Sequence, residues 1–236
     1  MFTKTIEYYD LVYSFKHYDE EANKIRALIH QEHPTASTVL DVACGTGEHA
    51  KFLADYFHVD GLDLESGFVE IAQRKVPSGR FVVADMRAFD LGRHYDVVQC
   101  LFSSIGYLKH SHEVIQALQC FRHHLTEGGV ILVEPWFTPE TWKVGRPFMA
   151  PPVDRPDIKI CRLNVSGREG NLSQIRFHYL IATREGVEYL QEDHELALYT
   201  VQEMLEFFDR AGLQVKYEPE GLFGRGLYIA RPQGTA

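Results

Sequence analysis

The stretch Thr38-Val39-Leu40-Asp41-Val42-Ala43-Cys44-Gly45-Thr46-Gly47-Glu48-His49 constrains this chain more than any other. Branched apolar residues, an acid, a turn of small residues with two glycines and a helix-compatible run spell strand, sharp turn and helix start. The glycines let the backbone approach a ligand that a Cβ would repel, and the helix behind them offers backbone N–H groups with no partner inside the helix. Asp41 falls at the strand's carboxyl end, where open α/β sheets place their ligand groups. Its charge is wrong for a phosphate. Neither the dinucleotide pattern G-x-G-x-x-G nor the P-loop pattern occurs, since Gly45-Thr46-Gly47 runs on into Glu48-His49-Ala50. An acid beside the glycines repels phosphate but accepts hydrogen bonds from an ammonium group.

The same alternation continues along the chain. Helices are expected over residues 18–31, ended by Pro34, over 48–56, and from a Ser66 cap to Lys75, closed by Pro77 and Gly79. Strands are expected over 57–63, 81–85, 95–101 and 130–134. The first two end in Asp63 and Asp85. Asp63 lies about twenty residues beyond the glycine turn, where a carboxylate accepts bonds from both ribose hydroxyls. A helix over 113–125 is expected to stop at Gly128-Gly129, and the loop from Phe102 to Leu108 is where a substrate should enter. This alternation predicts an α/β fold with a doubly wound, mostly parallel, Rossmann-like sheet.

Composition shifts after Glu134. Six prolines from Pro135 to Pro156 crowd together with Trp136, Phe137, Trp142 and Phe148. Three alternating segments follow, near 158–166, 172–182 and 187–198, and predict an antiparallel β insert over the cofactor site. A last helix over 201–210 and strands near 213–217 and 226–230 finish the core sheet. The expected organisation is a core with an aromatic N-terminal lid over 1–135, a substrate cover over 136–198, and a return to the core over 199–236.

With 45% hydrophobic and 24% charged residues among 236, the chain reads as a soluble globular protein. It shows no apolar run of the roughly eighteen residues that span a bilayer, and no secretory h-region, which predicts a cytoplasmic protein that does not bind membranes. A net charge of −9 argues against nucleic acid as a partner. Cys44, Cys100, Cys120 and Cys161 lie far apart and read as free thiols. The twelve histidines form no H-E-x-x-H and read as scattered surface residues, with no metal site.

Residues Asp41 to Gly47 resemble the D-x-A-C-G-T-G signature of class I S-adenosylmethionine (SAM)-dependent methyltransferases, whose cofactor carries an ammonium and no phosphate. Asp85-Met86-Arg87-Ala88-Phe89, Phe102-Ser103-Ser104-Ile105-Gly106-Tyr107-Leu108, Val133-Glu134-Pro135-Trp136, Arg168-Glu169-Gly170 and Gly224-Arg225-Gly226-Leu227 extend the likeness from about Tyr9 to Ile229. Together they resemble the sugar N,N-dimethyltransferases that finish amino sugars such as desosamine and mycaminose on thymidine diphosphate carriers. The resemblance implies a SAM site lined by Tyr9, Tyr18, Ala43, Asp63, Asp85, Met86 and Leu101, beside Asp41, Gly45 and Gly47 of the loop. Asp63 would hold the ribose, and Asp85 and Met86 would bracket the adenine. The acceptor amine would lie near Tyr107 and near Phe2, which stands about where the family has a tyrosine, and Arg225 would help hold the nucleotide-sugar end. The usual W-W-F-P-E is Trp136-Phe137-Thr138-Pro139-Glu140 here, and the segment before Tyr18 is short. Both departures lie where acceptor specificity should be set.

Methyl transfer to an amine is an in-line displacement that needs a neutral, aligned nitrogen. Tyr107 is the candidate to orient it, and apolar walls including Trp136 would disfavour the ammonium form. Arg162, Arg168 and Arg225 could be solvated charges on strand faces, or one or more of them could pair with a diphosphate, which suits arginine's fork. Other readings stay open: a methyltransferase acting on another small amine or on a hydroxyl, a dinucleotide oxidoreductase lacking its third glycine, and a non-catalytic SAM-binding module. A homodimer through the β insert is a further expectation.

Overall fold

The computed structural model describes residues 5–222 and 224–234. Helices α1 (Tyr9–Val12) and α2 (Tyr18–Glu32) precede the alternating region. That region comprises β1 (Thr38–Val42), α3 (Glu48–Leu53), β2 (His58–Asp63), α4 (Ser66–Lys75), β3 (Phe81–Val83), β4 (Tyr95–Cys100), α5 (Ser111–His123) and β5 (Leu125–Val133). Five strands follow: β6 (Pro147–Met149), β7 (Val153–Arg155), β8 (Ile158–Glu169), β9 (Leu172–Thr183) and β10 (Gly186–Ala197). The chain then forms α6 (Val201–Arg210), β11 (Leu213–Glu218) and β12 (Leu227–Pro232).

Seven strands form one sheet in the order β11-β12-β5-β4-β1-β2-β3. Strands β1 to β5 run parallel, and β12 is antiparallel to both β5 and β11. The central strands are apolar on both faces because helices cover both. Ile25 and Ile29 of α2, Leu53 of α3 and Ala72 of α4 pack one side. Val114, Leu118 and Phe121 of α5 and Met204, Phe207 and Phe208 of α6 pack the other. Each fully buried large apolar side chain contributes about 2 kcal/mol. Helix α6 forms over the residues the sequence predicts because its ends and face agree. Thr200 accepts the Glu203 N–H, Glu203 accepts the Thr200 N–H, and Met204, Phe207 and Phe208 recur on one stripe.

The other sheet is antiparallel, in the order β10-β9-β8-β6 with β7 also on β8. Its two long hairpins were foreshadowed by alternation, but β6 and β7 were not. Both emerge from the proline-rich stretch, and Pro147 is tolerated because it opens a three-residue edge strand. The N-terminal segment joins the two sheets. Val12 and Tyr13 pack with Val153, Ile160, Tyr179 and Ile181. The Thr5 hydroxyl donates to Glu192 of β10 at 2.6 Å. On the core side, Asp10 accepts from Thr46 Oγ1 at 2.5 Å and from Lys75 at 2.6 Å.

Several boundaries differ from expectation. Helix α3 stops at Leu53, whose carbonyl takes the N–H groups of both Tyr56 and Phe57 in a closing turn. Ser66 is the first helical residue of α4, and the capping position is Glu65, whose N–H donates to Asp63. Strand β3 ends at Val83, and Asp85 lies beyond it in a tight turn closed by its own carboxylate on the Arg87 N–H. Gly128 and Gly129 sit inside β5 instead of ending α5. Gly128 has φ +78°, and the β4/β5 register shifts between Tyr95 and Val97. His124 and His194 are buried, unlike the surface histidines expected. Among the described residues, no helix is long and apolar enough to cross a membrane.

Candidate active site

The strand order reverses between β1 and β4, and a crevice opens there at the carboxyl ends of the strands. A cavity of about 610 Å³ fills it, bounded by the core sheet, the N-terminal segment and the antiparallel sheet. Its floor is the β1–α3 loop, where Ala43 (φ +57°), Gly45 (φ +54°) and Gly47 (φ +75°) are all left-handed. Gly45 lines the cavity, and a Cβ added there would meet nothing within 4 Å. Gly47 has another task and is not among the lining residues. A Cβ on it would lie 2.9 Å from Ala72 Cβ, so its bareness lets α3 settle onto α4 and aims the loop.

Three aspartates line the inner half. Asp41 is 3% exposed, and burial pushes its carboxyl up to about 6. Asp63 accepts the Gly45 N–H at 2.9 Å and the Glu65 N–H at 3.0 Å, which ties the glycine loop to the end of β2. Burial raises its carboxyl above the usual range even so. Asp85 is held by Arg87, whose Nη2 donates at 2.6 Å, and this pairing lowers its carboxyl below the usual range. Tyr9, Tyr18, Ala43, Met86 and Leu101 complete this half of the lining with Phe68. Tyr9 packs on Phe68 at 5.0 Å between ring centroids.

The outer half is built on Tyr107, Trp136 and Arg225. Tyr107 closes the short helical turn after β4 and is half-buried, and desolvation holds its phenol well above the usual value. Its hydroxyl lies 2.8 Å from His194 Nδ1. Trp136 donates from Nε1 to Ser173 at 2.9 Å and packs against Phe137 and Trp142. Arg225 donates through Nε and Nη2 to Glu134, and Glu134 also accepts the Phe102 N–H.

Two expected residues are not brought to this cavity. Arg168 is absent from its lining: the exposed guanidinium turns back on the backbone, donating to Gly170 O at 2.8 Å and Pro139 O at 3.1 Å. Its place near the β8–β9 turn lets it close the turn and brace the loop after β5. Gly47, as described, acts in helix packing. Phe2 lies outside the described residues.

Three further residues line the cavity: Arg162, a diphosphate candidate by its sequence, and His49 and His194, to which the sequence assigns no site role. Arg162 is 5% exposed, with its guanidinium 4.6 Å from the Tyr13 ring centroid and 4.8 Å from that of Phe177. His49 lies 2.8 Å from Glu21 and edge-on to Tyr18. His194 shares the inward face of β10 with Glu192 and Leu196. The alternation of β10 carried that signal, since residues 190, 192, 194 and 196 share one face of a strand.

The lining suits S-adenosylmethionine. The buried carboxylates of Asp41 and Asp63 fit a cationic amino acid joined to a nucleoside, and the aromatic and apolar walls fit a flat base.

A protein-family model described as a methyltransferase domain matches residues 39–129. The chain is 40% identical to a dTDP-3-amino-3,6-dideoxy-alpha-D-glucopyranose N,N-dimethyltransferase of Streptomyces fradiae, over 96% of this chain and 90% of that protein. It is 38% identical to a dTDP-3-amino-3,4,6-trideoxy-alpha-D-glucopyranose N,N-dimethyltransferase of Streptomyces venezuelae, over 95% and 96% respectively. The crystal structure of Streptomyces venezuelae DesVI superposes with a TM-score of 0.92 at 36% identity, covering 98% of this chain and 100% of that one. SAM-bound CalS10, an amino pentose methyltransferase from Micromonospora echinaspora, superposes at 0.83 with 32% identity, covering 91% of each chain.

Proposed function

This chain belongs to the family of dTDP-amino-sugar N,N-dimethyltransferases and is a class I methyltransferase that uses S-adenosylmethionine, and from that premise we propose that it dimethylates the amine of a sugar carried on thymidine diphosphate. The observation that carries this reading is the continuity of one cavity from the acidic pocket around Asp41 and Asp63 to an outer half lined by Tyr107, Trp136 and Arg225, with Lys143 and Arg146 beyond. The inner half matches a cation and a ribose. The outer half offers an aromatic shelf and cations suited to a nucleoside diphosphate.

The bound cofactor supplies a methyl group on a sulfonium. Asp63 would hold the ribose, Asp85 and Met86 would flank the adenine, Asp41 would face the ammonium, and Tyr9 and Tyr18 would line the amino-acid end. Residues 136–198 serve as the acceptor's cover, and Trp136 keeps water from the nitrogen so that the neutral amine is favoured. Tyr107 orients that nitrogen for in-line attack.

Mass spectrometry of dTDP-linked 3-amino sugars incubated with enzyme and S-adenosylmethionine should show two successive additions of a methyl group. Methylation confined to free amines or to hydroxyls would sink the acceptor assignment. Calorimetry should show binding of S-adenosylmethionine and its demethylated product, and none of NAD.

Cofactor affinity should also depend on acid. The free enzyme's Asp41 sits at about 6, and a bound ammonium lowers it, so affinity is full above that value and falls as pH drops through it. At pH 5 the Kd should be about tenfold weaker than at pH 7.5, one pKa unit being worth about 1.4 kcal/mol. Asp41→Asn should flatten this slope, and an unchanged slope would remove Asp41 from the ammonium site.

A further inference from the structure

We propose that His194 is a positioning residue for methyl transfer: its Nδ1 takes the hydrogen of the Tyr107 hydroxyl and so presents the Tyr107 oxygen to the acceptor amine as a hydrogen-bond acceptor. This rests on the amine-methylating reading above.

The geometry joins the turn after β4 to strand β10 across the cavity. Tyr107 Oη and His194 Nδ1 are 2.8 Å apart, both side chains line the cavity, and His194 is 2% exposed. The turn carrying Tyr107 is seated on the same strand as His194. A Cβ on Gly106 would come within 2.9 Å of Trp136 Cβ and 3.2 Å of Leu196 Cδ2, so glycine there lets the turn close against β10. Phe177 packs on the imidazole at 5.0 Å between centroids. Neither partner is free to swing away.

A tyrosine hydroxyl has one hydrogen to give. Were it given to the acceptor nitrogen, it would occupy the lone pair that must attack the methyl group. Given to His194, it leaves oxygen lone pairs facing the amine N–H, and the nitrogen lone pair stays open toward the sulfonium. In the transfer the N–C bond forms, the C–S bond breaks with its electron pair passing to sulfur, and the product ammonium returns its proton to solvent before a second round. Tyr107 and His194 keep their own protons throughout. Burial supports this by pushing the His194 imidazole down to about 3, so it stays neutral and Nδ1 can accept.

The test uses His194→Phe, His194→Asn, Tyr107→Phe and the His194→Phe/Tyr107→Phe double variant of the full chain. His194→Phe should lower kcat about tenfold, the equivalent of one hydrogen bond, with Kd for S-adenosylmethionine and KM for the acceptor each within about twofold of wild type. His194→Asn, whose amide oxygen can stand where Nδ1 stood, should restore most of the rate. In the Tyr107→Phe background, His194→Phe should cost nothing more. An undiminished kcat in His194→Phe, or a loss of equal size in both backgrounds, overturns the proposal. Nitrogen-15 shifts of His194 give a readout independent of turnover: they should show Nε2 protonated and Nδ1 bare, and an Nδ1–H overturns the proposal by itself. A wild-type enzyme that methylates no amine fails the functional reading instead, whatever the variants do.

Discussion

Replacing Asp63 by alanine is expected to weaken S-adenosylmethionine binding about a hundredfold while the protein stays folded. The carboxylate stands at the end of β2 with two of its lone pairs committed to the N–H groups of Gly45 and Glu65. Its other lone pairs face the cavity, where two ribose hydroxyls would donate to them. Hydrogen bonds to a charged acceptor contribute about 1.5–3 kcal/mol each, and about 2.7 kcal/mol is a hundredfold in Kd. Alanine also orphans the Gly45 N–H and loosens the cradle, so the loss should reach the bound methionine end as well. Asparagine keeps the shape and an amide oxygen but not the charge, and should recover part of the affinity. Calorimetric titration decides the matter: an alanine variant that binds within threefold of wild type would reduce Asp63 to a packing residue.

Removing Glu134 should have the largest effect on stability. This side chain is 2% exposed at the mouth of the core sheet, one oxygen taking Nε and Nη2 of Arg225 and the other the Phe102 N–H at 2.7 Å. Breaking a buried ion pair from one side costs about 3–5 kcal/mol, because the remaining charge has lost its counterion in a poorly hydrated place. For a chain of this size the melting temperature of Glu134→Ala should fall by about 10 °C. Activity should fall further than stability alone explains. Phe102 holds φ +52°, and without the carboxylate on its N–H the turn leading to Tyr107 is free to relax. Arg225→Ala, which removes the less buried partner, should cost less in melting temperature. A change under about 1 kcal/mol for Glu134→Ala would show that water replaces the carboxylate at little cost.

The core sheet was legible because its signals are local and agree with one another. Val39 to Val42 show no polar alternation and are buried on both faces; the glycines after them favour the left-handed turn; Thr200 and Glu203 announce the start of α6 as plainly as Met204, Phe207 and Phe208 announce its face. Asp41 and Asp63 on β1 and β2, and Asp85 in the turn after β3, line the cavity because these parallel strands end at one edge of that sheet. The outer half of the cavity was harder to read. Its pairings join residues far apart in the chain, Tyr107 with His194 and Arg225 with Glu134, and no local pattern encodes which arginine turns inward. Arg168 and Arg162 both lie on β8; one ends at the exposed β8–β9 turn and the other faces the core of the antiparallel sheet. They share one face and one register of β8, and only their distance from the turn separates them. Likewise Gly128-Gly129 carry the composition of a helix stop, yet the bulge they form belongs to a strand whose neighbour comes from β4.

The chain leaves the seven-stranded sheet after β5, builds all of β6 to β10 and returns through α6 to β11 and β12. No strand is shared between the two hydrogen-bonded ladders. A one-residue slip in a β ladder sends every side chain to the opposite face, which makes most insertions ruinous to a continuous sheet. Here such a slip within β8, β9 or β10 would rewrite one wall of the cavity and its contacts with the N-terminal segment and Tyr107, while breaking no hydrogen bond of the β1–β4 pairing. The acids of the inner pocket and the wall that faces them thus answer to two separate ladders, and a change in one ladder's register is not copied into the other.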